Sequence, residues 1–334
     1  MDKILLGHGS GGKLSHDLVR DLFLSHFSGS ALAKLDDAAV VSLASARLAL
    51  TTDSYVVKPL FFKGGDIGRL AVCGTVNDLA MVGAAPLYLS AGFVIEEGLD
   101  LDILRRVVAS MEASAAEAGV EIVAGDTKVV EKGGADQLFI TTAGLGVVPE
   151  GVDISACNAR PGDVVILSGA IGDHGIAVLS EREGLSFETE LVSDVAPLNG
   201  LVSAMLDVSR GIHVLRDPTR GGLATLLNEV ALQSGMTISL SEGKVPVHDG
   251  VRAACEMLGY DPLYVANEGK LVAMVAPEDA QHILEVMRRH PQGKEAAVIG
   301  EVLDRPEPRV LLRTEIGGTR IVDMLAGEML PRIC

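Results

Sequence analysis

An uncharged apolar stretch of 17 residues, Leu79 to Ile95, constrains the fold of this chain more than any other segment. Its length is at the short limit for a membrane-spanning helix, but Gly83, Pro86 and Gly92 interrupt it, and both flanking residues are acidic. The stretch therefore predicts the end of a helix, a turn and a buried strand. Because charged residues begin early in the chain, no apolar signal-peptide core is expected at the amino terminus.

Strand-like and helix-like segments are mixed in both halves of the chain, which is typical of α/β and α+β folds. Residues Leu48–Val57 alternate and are rich in Thr and Val, as in a strand. An apolar stripe from Leu101 predicts a helix that Asp100 caps and Gly119 ends. A strand over Val120–Ala124 is predicted to end at Gly125-Asp126. Further helices are predicted after Gly68 and over Leu223–Ser234, Asp249–Leu258 and Ala280–Arg289, and further strands over Gln137–Val148, Val164–Leu167 and Leu271–Val275.

A change of pattern near residue 155 divides the chain into two predicted domains, as its length of 334 residues also suggests. We expect an amino-terminal domain over residues 1–155 and a carboxyl-terminal domain over residues 156–325. Residues 326–334 lack a periodic apolar pattern, so we expect them to form a mobile tail with an exposed thiol at its end.

The composition excludes several classes of function. Lys plus Arg number 28 against 45 for Asp plus Glu, giving a net charge of −17, which disfavours nucleic-acid binding. Aromatic residues make up 3%, with no Trp, so a base-stacking surface is also not expected. The cysteines form no CxxC pair, which indicates a reduced, cytoplasmic protein in which Cys73, Cys157 and Cys255 are structural.

A glycine-rich segment near the amino terminus, Gly7 to Leu14, nearly fits the P-loop pattern. The fit fails at Leu14, where a hydroxyl should reach Mg²⁺. Glycines followed by Lys13 still suit the binding of phosphate, because bare backbone N–H groups can approach an anion. The alternative is a plain flexible loop.

Aspartates stand at the predicted ends of several elements, beside apolar runs. Alone, each of them could be a helix cap or a turn residue. Together they predict a metal–phosphate site, because a buried carboxylate needs a partner and Mg²⁺ takes oxygen ligands and bridges to phosphates. These aspartates are Asp36, Asp37, Asp53, Asp78, Asp126 and Asp217.

Three further side chains could carry chemistry. Glu268, before the strand at Leu271, could be a base, although its spacing alone favours a solvated loop residue. Lys128 could be a phosphate ligand, a catalytic group or a surface residue. Cys334 is the last residue; it is not a prenylation signal. It could be an attachment point that another enzyme loads, or an incidental cysteine.

These features together resemble one family, the HypE carbamoyl dehydratases of [NiFe] hydrogenase maturation. The family lies in the superfamily of AIR synthetase (PurM), selenophosphate synthetase and thiamine-monophosphate kinase. The resemblance covers nearly the whole chain, and the terminal PRIC is its most specific part. The segments that carry it are HGSGG, DDAAV, TTDS, GTVNDLAMVGAAPLYLS, IVAGDTKVV, DPTRGGLATLLNE, NEGKL and PRIC.

The resemblance implies a PurM-like fold whose amino-terminal α/β domain helps to build a β-barrel across a homodimer, next to a carboxyl-terminal α+β domain. ATP would bind in a cleft near the dimer interface, with the loop Gly9–Lys13 over its phosphates. The implied nucleotide-binding residues are Gly9, Ser10, Gly11, Gly12, Lys13, Asn77, Asp126, Thr127, Gly221 and Gly222. The implied ligands of Mg²⁺ are Asp36, Asp37, Asp53, Asp78 and Asp217.

The implied reaction takes place on the tail. A HypF-like carbamoyltransferase would load Cys334, and ATP would drive dehydration of the S-carbamoyl group to a thiocyanate. A HypC–HypD-like complex would receive the cyano group on iron. Glu268 and Lys128 are the candidates for proton transfer and substrate positioning.

Two other functions compete with this one. Another PurM-like enzyme could phosphorylate a free small molecule, although the amino-terminal loop has no Cys, which counts against selenophosphate synthesis. A non-catalytic scaffold or thiol carrier would bind no ATP, and the set of aspartates argues against it.

Overall fold

The computed structural model of the protein describes residues 8, 12–26, 32–43, 46–185, 191–305, 307–327, 330 and 332–334. The amino-terminal half contains the helices α1 (Lys13–Leu18), α2 (Leu24–His26), α3 (Ile67–Met81) and α4 (Leu101–Ala118) and the strands β1 (Ala39–Leu43), β2 (Ala46–Tyr55), β3 (Phe61–Phe62), β4 (Gly65–Asp66), β5 (Ala85–Glu96), β6 (Glu121–Val130) and β7 (Leu138–Val148). The carboxyl-terminal half contains the helices α5 (Asp173–Glu183), α6 (Asn199–Val208), α7 (Gly222–Ser234), α8 (Asp249–Leu258) and α9 (Pro277–Arg289) and the strands β8 (Val164–Leu167), β9 (Ile212–Arg216), β10 (Thr237–Ser241), β11 (Val272–Val275), β12 (Ala297–Leu303), β13 (Arg309–Arg313) and β14 (Thr319–Val322).

The first sheet has five strands in the order β1-β2-β7-β5-β6. Strands β5 and β6 are parallel and the other pairs are antiparallel. Along β7, buried Leu138, Ile140 and Thr142 alternate with more exposed residues, so one face of the sheet packs against α3. Helix α4 in turn packs on α3, whereas β6 is an exposed edge strand.

Helix α3 is buried on nearly every side. Its first turn is capped by Asp66, whose carboxylate accepts hydrogen bonds from the N–H groups of Gly68 and Arg69. The sheet, α4 and α6 surround the helix. Its last turns therefore carry Asn77 and Asp78 to the boundary between the two halves.

The second sheet has seven strands in the order β14-β13-β10-β12-β8-β11-β9. Helix α7 packs into the apolar cluster on one face, and α6 and α9 into the cluster on the other. The latter cluster also contains Leu79 and Val82 from the first half. The two halves therefore share a core, which fixes the walls of the cleft between them.

Most predicted elements are confirmed. The uncharged stretch forms the end of α3, a turn and β5, and no described helix is both long and apolar enough to cross a membrane. The helix from Leu101 has the predicted cap, Asp100, and the predicted stop, Gly119. The sheets end and begin at Val148 and Val164, on either side of residue 155, although the domain boundary itself stays a prediction.

One strand end is predicted wrongly. Strand β6 does not end at Asp126 but continues to Val130, because its pairing with β5 extends as far as Glu96. Asp126 and Lys128 therefore lie in the middle of an edge strand. The sequence reading also missed several elements, mainly α5, α6, β9, β10 and the strands after β11.

Candidate active site

A cavity of about 240 Å³ opens between the two halves of the protein. Strand β2 and helix α3 of the first half, the loops after β9 and before β11 in the second half, and the end of the chain form its walls. Its lining residues are Asp37, Thr51, Thr52, Asp53, Tyr55, Gly74, Asp78, Asp217, Thr219, Arg220, Glu268 and Cys334. The structure thus brings together four of the five predicted metal ligands with two of the three predicted catalytic residues.

The carboxylates of this cavity are buried close to one another. Burial raises the pKa of Asp78, and the charges of Asp217, Asp53 and Asp37 raise it further. Burial also raises the pKa of Asp217, to about 6. At Asp78, the Thr51 hydroxyl donates a hydrogen bond of 2.7 Å to Oδ2, which lowers the pKa of Asp78 and offsets part of the rise. The cavity therefore favours a cation.

Arg216 partly neutralises one of these carboxylates. Its Nε lies 2.7 Å from Asp37 Oδ2, although the two are not aligned as a hydrogen bond, and its Nη2 donates to Glu229 Oε2 at 2.7 Å. His16 Nε2 contacts the other oxygen of Glu229 at 2.8 Å. The sequence analysis did not identify Arg216 and Glu229. The position of Arg216 directly before Asp217 was the signal that could have indicated it.

Asp36 does not line this cavity, although it and Asp37 both line an adjacent one of about 530 Å³. Both its carboxylate oxygens accept the Ser155 hydroxyl at 2.9 Å, and one also accepts the N–H of Ala156 at 3.1 Å. It ties the segment before the second sheet to the first half. This geometry weighs against Asp36 as a metal ligand, so that assignment stays a prediction.

The donor set suits Mg²⁺ that arrives with a nucleotide. Among the described residues, no three His, Cys, Asp or Glu side chains converge as a complete metal site. The cavity does offer several carboxylate oxygens, and Mg²⁺ is commonly held by one or two carboxylates plus substrate phosphates. Asp37, Asp53, Asp78 and Asp217 are therefore the residues that would hold it.

Glu268 is buried at the inner wall of the cavity, where the sequence spacing favoured a solvated loop residue. It is 3% exposed, and within the described part of the chain its Oε1 has no hydrogen-bond partner. Burial raises its pKa well above the usual range, and Asp217, Asp194 and Asp53 raise it further. A buried carboxylate with a raised pKa next to a reactive group has the properties of a general base.

Cys334 lines the same cavity as Glu268. The expectation of an exposed thiol on an unpacked tail is wrong for the described end of the chain, because Ile333 and Cys334 are 4% and 8% exposed. Burial raises the pKa of the thiol, which the positive charge of Arg220 opposes. Arg220 was inside the DPTRGG motif but was not assigned a role.

The last three residues are held by both halves. The backbone of Arg332 and Cys334 pairs with the segment after β2, where Lys58 N donates to Arg332 O at 3.2 Å and Val56 N to Cys334 O at 3.3 Å. The Arg332 guanidinium contacts the Asp136 carboxylate, which Lys58 Nζ also binds at 2.8 Å. These two hydrogen bonds lower the pKa of Asp136 to about 2, so the bridge stays charged at neutral pH.

His174 anchors the same segment from the second half. Its Nε2 lies 2.8 Å from Ile333 O and its Nδ1 lies 2.8 Å from Ser193 Oγ. Burial lowers the pKa of the imidazole, so the neutral ring donates through Nε2 and accepts through Nδ1.

Several predicted site residues do not reach the cavity. Asp126, Thr127 and Lys128 lie on the exposed strand β6, where Lys128 Nζ is 3.2 Å from Asp126 Oδ2. Asn77 uses its amide on backbone groups instead: it accepts from Leu198 N at 2.8 Å and donates to Ala196 O at 3.1 Å. Asn77 therefore joins the two halves and has no amide group left for a nucleotide.

The predicted nucleotide-binding residues of the glycine-rich segments also lie outside the lining of this cavity or outside the described residues. Gly9, Ser10 and Gly11 lie outside the described residues. Gly12 packs so closely on Leu325 that a Cβ would lie 2.2 Å from the Leu325 oxygen, and Lys13 N donates to the same oxygen at 3.0 Å. Gly221 and Gly222 begin α7 with positive φ, which favours glycine.

Residues 35–148 match the family described as AIR synthase related protein, N-terminal domain, and residues 160–313 match its C-terminal domain. The carbamoyl dehydratase HypE of Cupriavidus necator is 55% identical over 333 residues, which cover 99% of this chain and 95% of that relative.

Two solved structures are also similar. A crystal structure of a HypE–HypF complex has a TM-score of 0.88 at 52% identity, covering 92% of this chain and 99% of that one. A crystal structure of the hydrogenase maturation protein HypE in complex with ATP has a TM-score of 0.84 at 52% identity, covering 99% and 100%.

We predict that Asp136→Asn exposes the terminal thiol. Loss of the charge that binds Arg332 and Lys58 should cost about 1 kcal/mol of docking free energy for this partly exposed pair, or roughly fivefold in the docking equilibrium. The rate at which iodoacetamide alkylates Cys334, followed by mass spectrometry, should rise accordingly. Glu131→Gln, in the same loop, is the control and should leave the rate unchanged. An unchanged rate in Asp136→Asn would show that the bridge does not hold the tail.

Proposed function

This chain belongs to the HypE family of carbamoyl dehydratases, and from that premise we propose that it dehydrates a carbamoyl group carried on its own Cys334. The product is a thiocyanate, which supplies the cyanide ligands of a [NiFe] hydrogenase iron. The observation that carries the proposal is the position of Cys334, which lines the same carboxylate-rich cavity as Glu268 and Arg220. The fold is the two-domain PurM-like α/β fold.

The reaction balances as a loss of one water driven by ATP. The oxygen of the S-carbamoyl group, S–C(=O)–NH₂, attacks the γ-phosphorus of ATP and releases ADP, while one N–H proton is lost. The resulting S–C(–OPO₃)=NH loses its second N–H proton and expels phosphate. Cys334 then carries S–C≡N, and the oxygen removed from carbon leaves in the phosphate.

The residues of the cavity support these steps. Glu268 accepts a proton from nitrogen, because it lines the same cavity as the Cys334 sulfur that carries the reacting group and burial raises its pKa. The Arg220 guanidinium faces Cys334, with Nη2 3.9 Å from Asp53 Oδ1, and stabilises negative charge on the carbamoyl oxygen. Mg²⁺, when bound by the aspartates, would offset their repulsion toward the phosphates of ATP.

The proposal includes a homodimer in which β6 faces a second copy. This edge strand is ten residues long, and Val123 and Val129 are 59% and 68% exposed on it. Long apolar edge strands pair readily with another chain unless they are covered. The open sheet also exposes Leu43 and Leu50, which suits a barrel closed by two copies. Lys128 would then enter the partner's cavity, since it does not line its own.

The proposed partners act before and after the dehydration. A HypF-like carbamoyltransferase loads the thiol, as the solved HypE–HypF complex of a relative supports. A HypC–HypD-like complex then accepts the cyano group on iron. The cytoplasmic location also stays a prediction. No observation in the described cavity favours a free small-molecule substrate or a non-catalytic scaffold.

The first test is mass spectrometry of the tail peptide. Incubation with the carbamoyltransferase, carbamoyl phosphate and Mg-ATP should add a carbamoyl group to Cys334 and then remove one water. Cys334→Ala should lose both mass changes, because it lacks the sulfur, whereas Cys157→Ser, which replaces an exposed thiol elsewhere, should retain them. Full cyanation by Cys334→Ala, or no change at Cys334 with an active partner, would refute the tail reaction.

Glu268→Gln should separate loading from dehydration. We expect the carbamoylated tail to accumulate while water loss slows by about 10²–10⁴-fold, the usual contribution of a general base. Quenched samples of the tail peptide give both rates. Water loss at the wild-type rate would remove Glu268 from the mechanism.

Mixed dimers test the placement of Lys128. Cys334→Ala and Lys128→Ala should each be inactive alone, and mixing them should restore about a quarter of the wild-type sites, since half of the dimers are mixed and each has one complete site. Cys334→Ala mixed with Glu268→Ala is the control and should stay inactive, because Glu268 serves the tail of its own chain. No recovery in the first mixture would contradict a dimer-spanning site.

A further inference from the structure

The turn that carries Glu268 is held in place by a residue outside the cavity, Asp194. Its Oδ1 accepts the N–H of Glu268 at 3.1 Å, and its Oδ2 accepts the N–H of Gly269 at 3.2 Å. The same Oδ2 lies 3.2 Å from Lys270 Nζ, and the Asp194 side chain is 3% exposed. One buried carboxylate therefore binds three consecutive residues of the turn.

The backbone of this turn has no room to move. A Cβ added at Gly269 would lie 1.8 Å from the carbonyl oxygen of Asp194, so the two segments are in direct contact. On the other side, Asn267 accepts the N–H of Gly172 at 2.7 Å and donates to Pro218 O at 2.8 Å. Glu268 itself lies between these two anchors.

The side chain of Glu268 has little else to hold it. Its Oε1 has no hydrogen-bond partner in the described part of the chain. The direction of its carboxyl group toward Cys334 is therefore set mainly by where its backbone is fixed. A displacement of about 1 Å at such a group is enough to reduce a rate about a hundredfold.

We propose that Asp194 is a positioning residue of the dehydration step: it fixes the backbone of Glu268 and Gly269 so that the Glu268 carboxyl group stays aimed at the group on Cys334. This inference rests on the proposed function. The pair of Asp194 and Lys270 also sets the charge behind Glu268, because Asp194 brings a negative charge to the inner side of the turn and Lys270 offsets it.

The effect of the Asp194 charge on the pKa of Glu268 can be separated from the effects of the other charged groups around Glu268. The titratable and charged groups that face Glu268 are Asp53 and Tyr55 on β2, Cys73 on α3, Asp217 and Arg220 before α7, Asp194, and Cys334. Asp194 raises the pKa of Glu268. Removing its charge should lower that pKa, whereas removing the Lys270 charge, which leaves Asp194 unneutralised, should raise it.

The experiment measures dehydration of a preloaded tail. Brief treatment with potassium cyanate at mildly acidic pH, where lysine amines stay protonated, carbamoylates the thiol of the full-length Cys157→Ser chain and of its variants; gel filtration removes the reagent, and peptide masses verify that Lys128 and Lys270 are unmodified. Mg-ATP is then added at a series of pH values, and loss of water from the tail peptide is followed in a single turnover. The variants are Asp194→Asn and Lys270→Gln. Asp163→Asn is the matched control, because Asp163 is an equally buried aspartate that accepts a backbone N–H away from the cavity.

Asp194→Asn should slow water loss by about ten- to a hundredfold and move the acidic limb of the pH profile to lower pH. Lys270→Gln keeps both backbone hydrogen bonds of Asp194, so it should slow the reaction less and move the limb to higher pH. Asp163→Asn should move neither. If Asp194→Asn does not fold, as judged by thermal unfolding, Asp194→Glu is the second variant, because it keeps the charge but displaces the carboxylate from the N–H groups of Glu268 and Gly269, and it should also slow water loss.

Two outcomes would overturn the inference. One is an unchanged rate and an unchanged limb in folded Asp194→Asn. The other is a slower reaction whose acidic limb does not move in either variant, which would assign Asp194 a structural role alone. If the parent Cys157→Ser chain loses no water, the proposed function fails instead, so the two failures can be distinguished.

Discussion

Repulsion among buried carboxylates is the constraint on which the rest of this structure depends. Asp37, Asp53, Asp78, Asp217 and Glu268 face one cavity of about 240 Å³. Burial raises the pKa values of Asp78, Asp217 and Glu268, and the charges of neighbouring carboxylates raise them further, so leaving all of them charged without cations would be unfavourable. Arg216 and Arg220 offset part of the charge from fixed positions. The negative charge that the two arginines leave unneutralised favours binding of a cation that arrives with phosphates. The repulsion that destabilises the folded chain therefore also favours its ligand.

Such a cavity needs rigid walls, and the shared core supplies them. Leu79 and Val82 at the end of α3 pack among Leu201, Met205 and Ile283 of the second half. Asn77 adds hydrogen bonds to the backbone directly before α6 at the same boundary. Because apolar packing and a fully used amide join the halves next to the carboxylates, the distances between charges from different halves are fixed by the fold and not by the ligand.

Much of the fold and part of the site could be predicted from the sequence. The helices and strands with strong apolar periodicity were found, and aspartates at element ends indicated where side chains converge. Asp36 and Asp37 could not be told apart, because neighbouring residues of an extended segment point in different directions and only the contact with Ser155 reveals which one turns away. Asp126 was predicted to lie at a strand end because Gly125 is typical of a turn. Pairing with β5 instead extends β6 beyond Asp126 to Val130. Ile333, His174 and Asp194 gave no local signal, since their partners are distant in the chain.

The burial of the carboxyl terminus gives the chemistry an unusual kinetic character. The group to be transformed is covalently attached to the enzyme, and the docked tail lies in the cavity of its own chain. Each molecule therefore carries its own substrate, so the step is first order in the loaded protein as long as the dimer persists. For the tail there is no saturation curve to describe, because its concentration at the cavity is set by the chain to which it is joined and not by the solution.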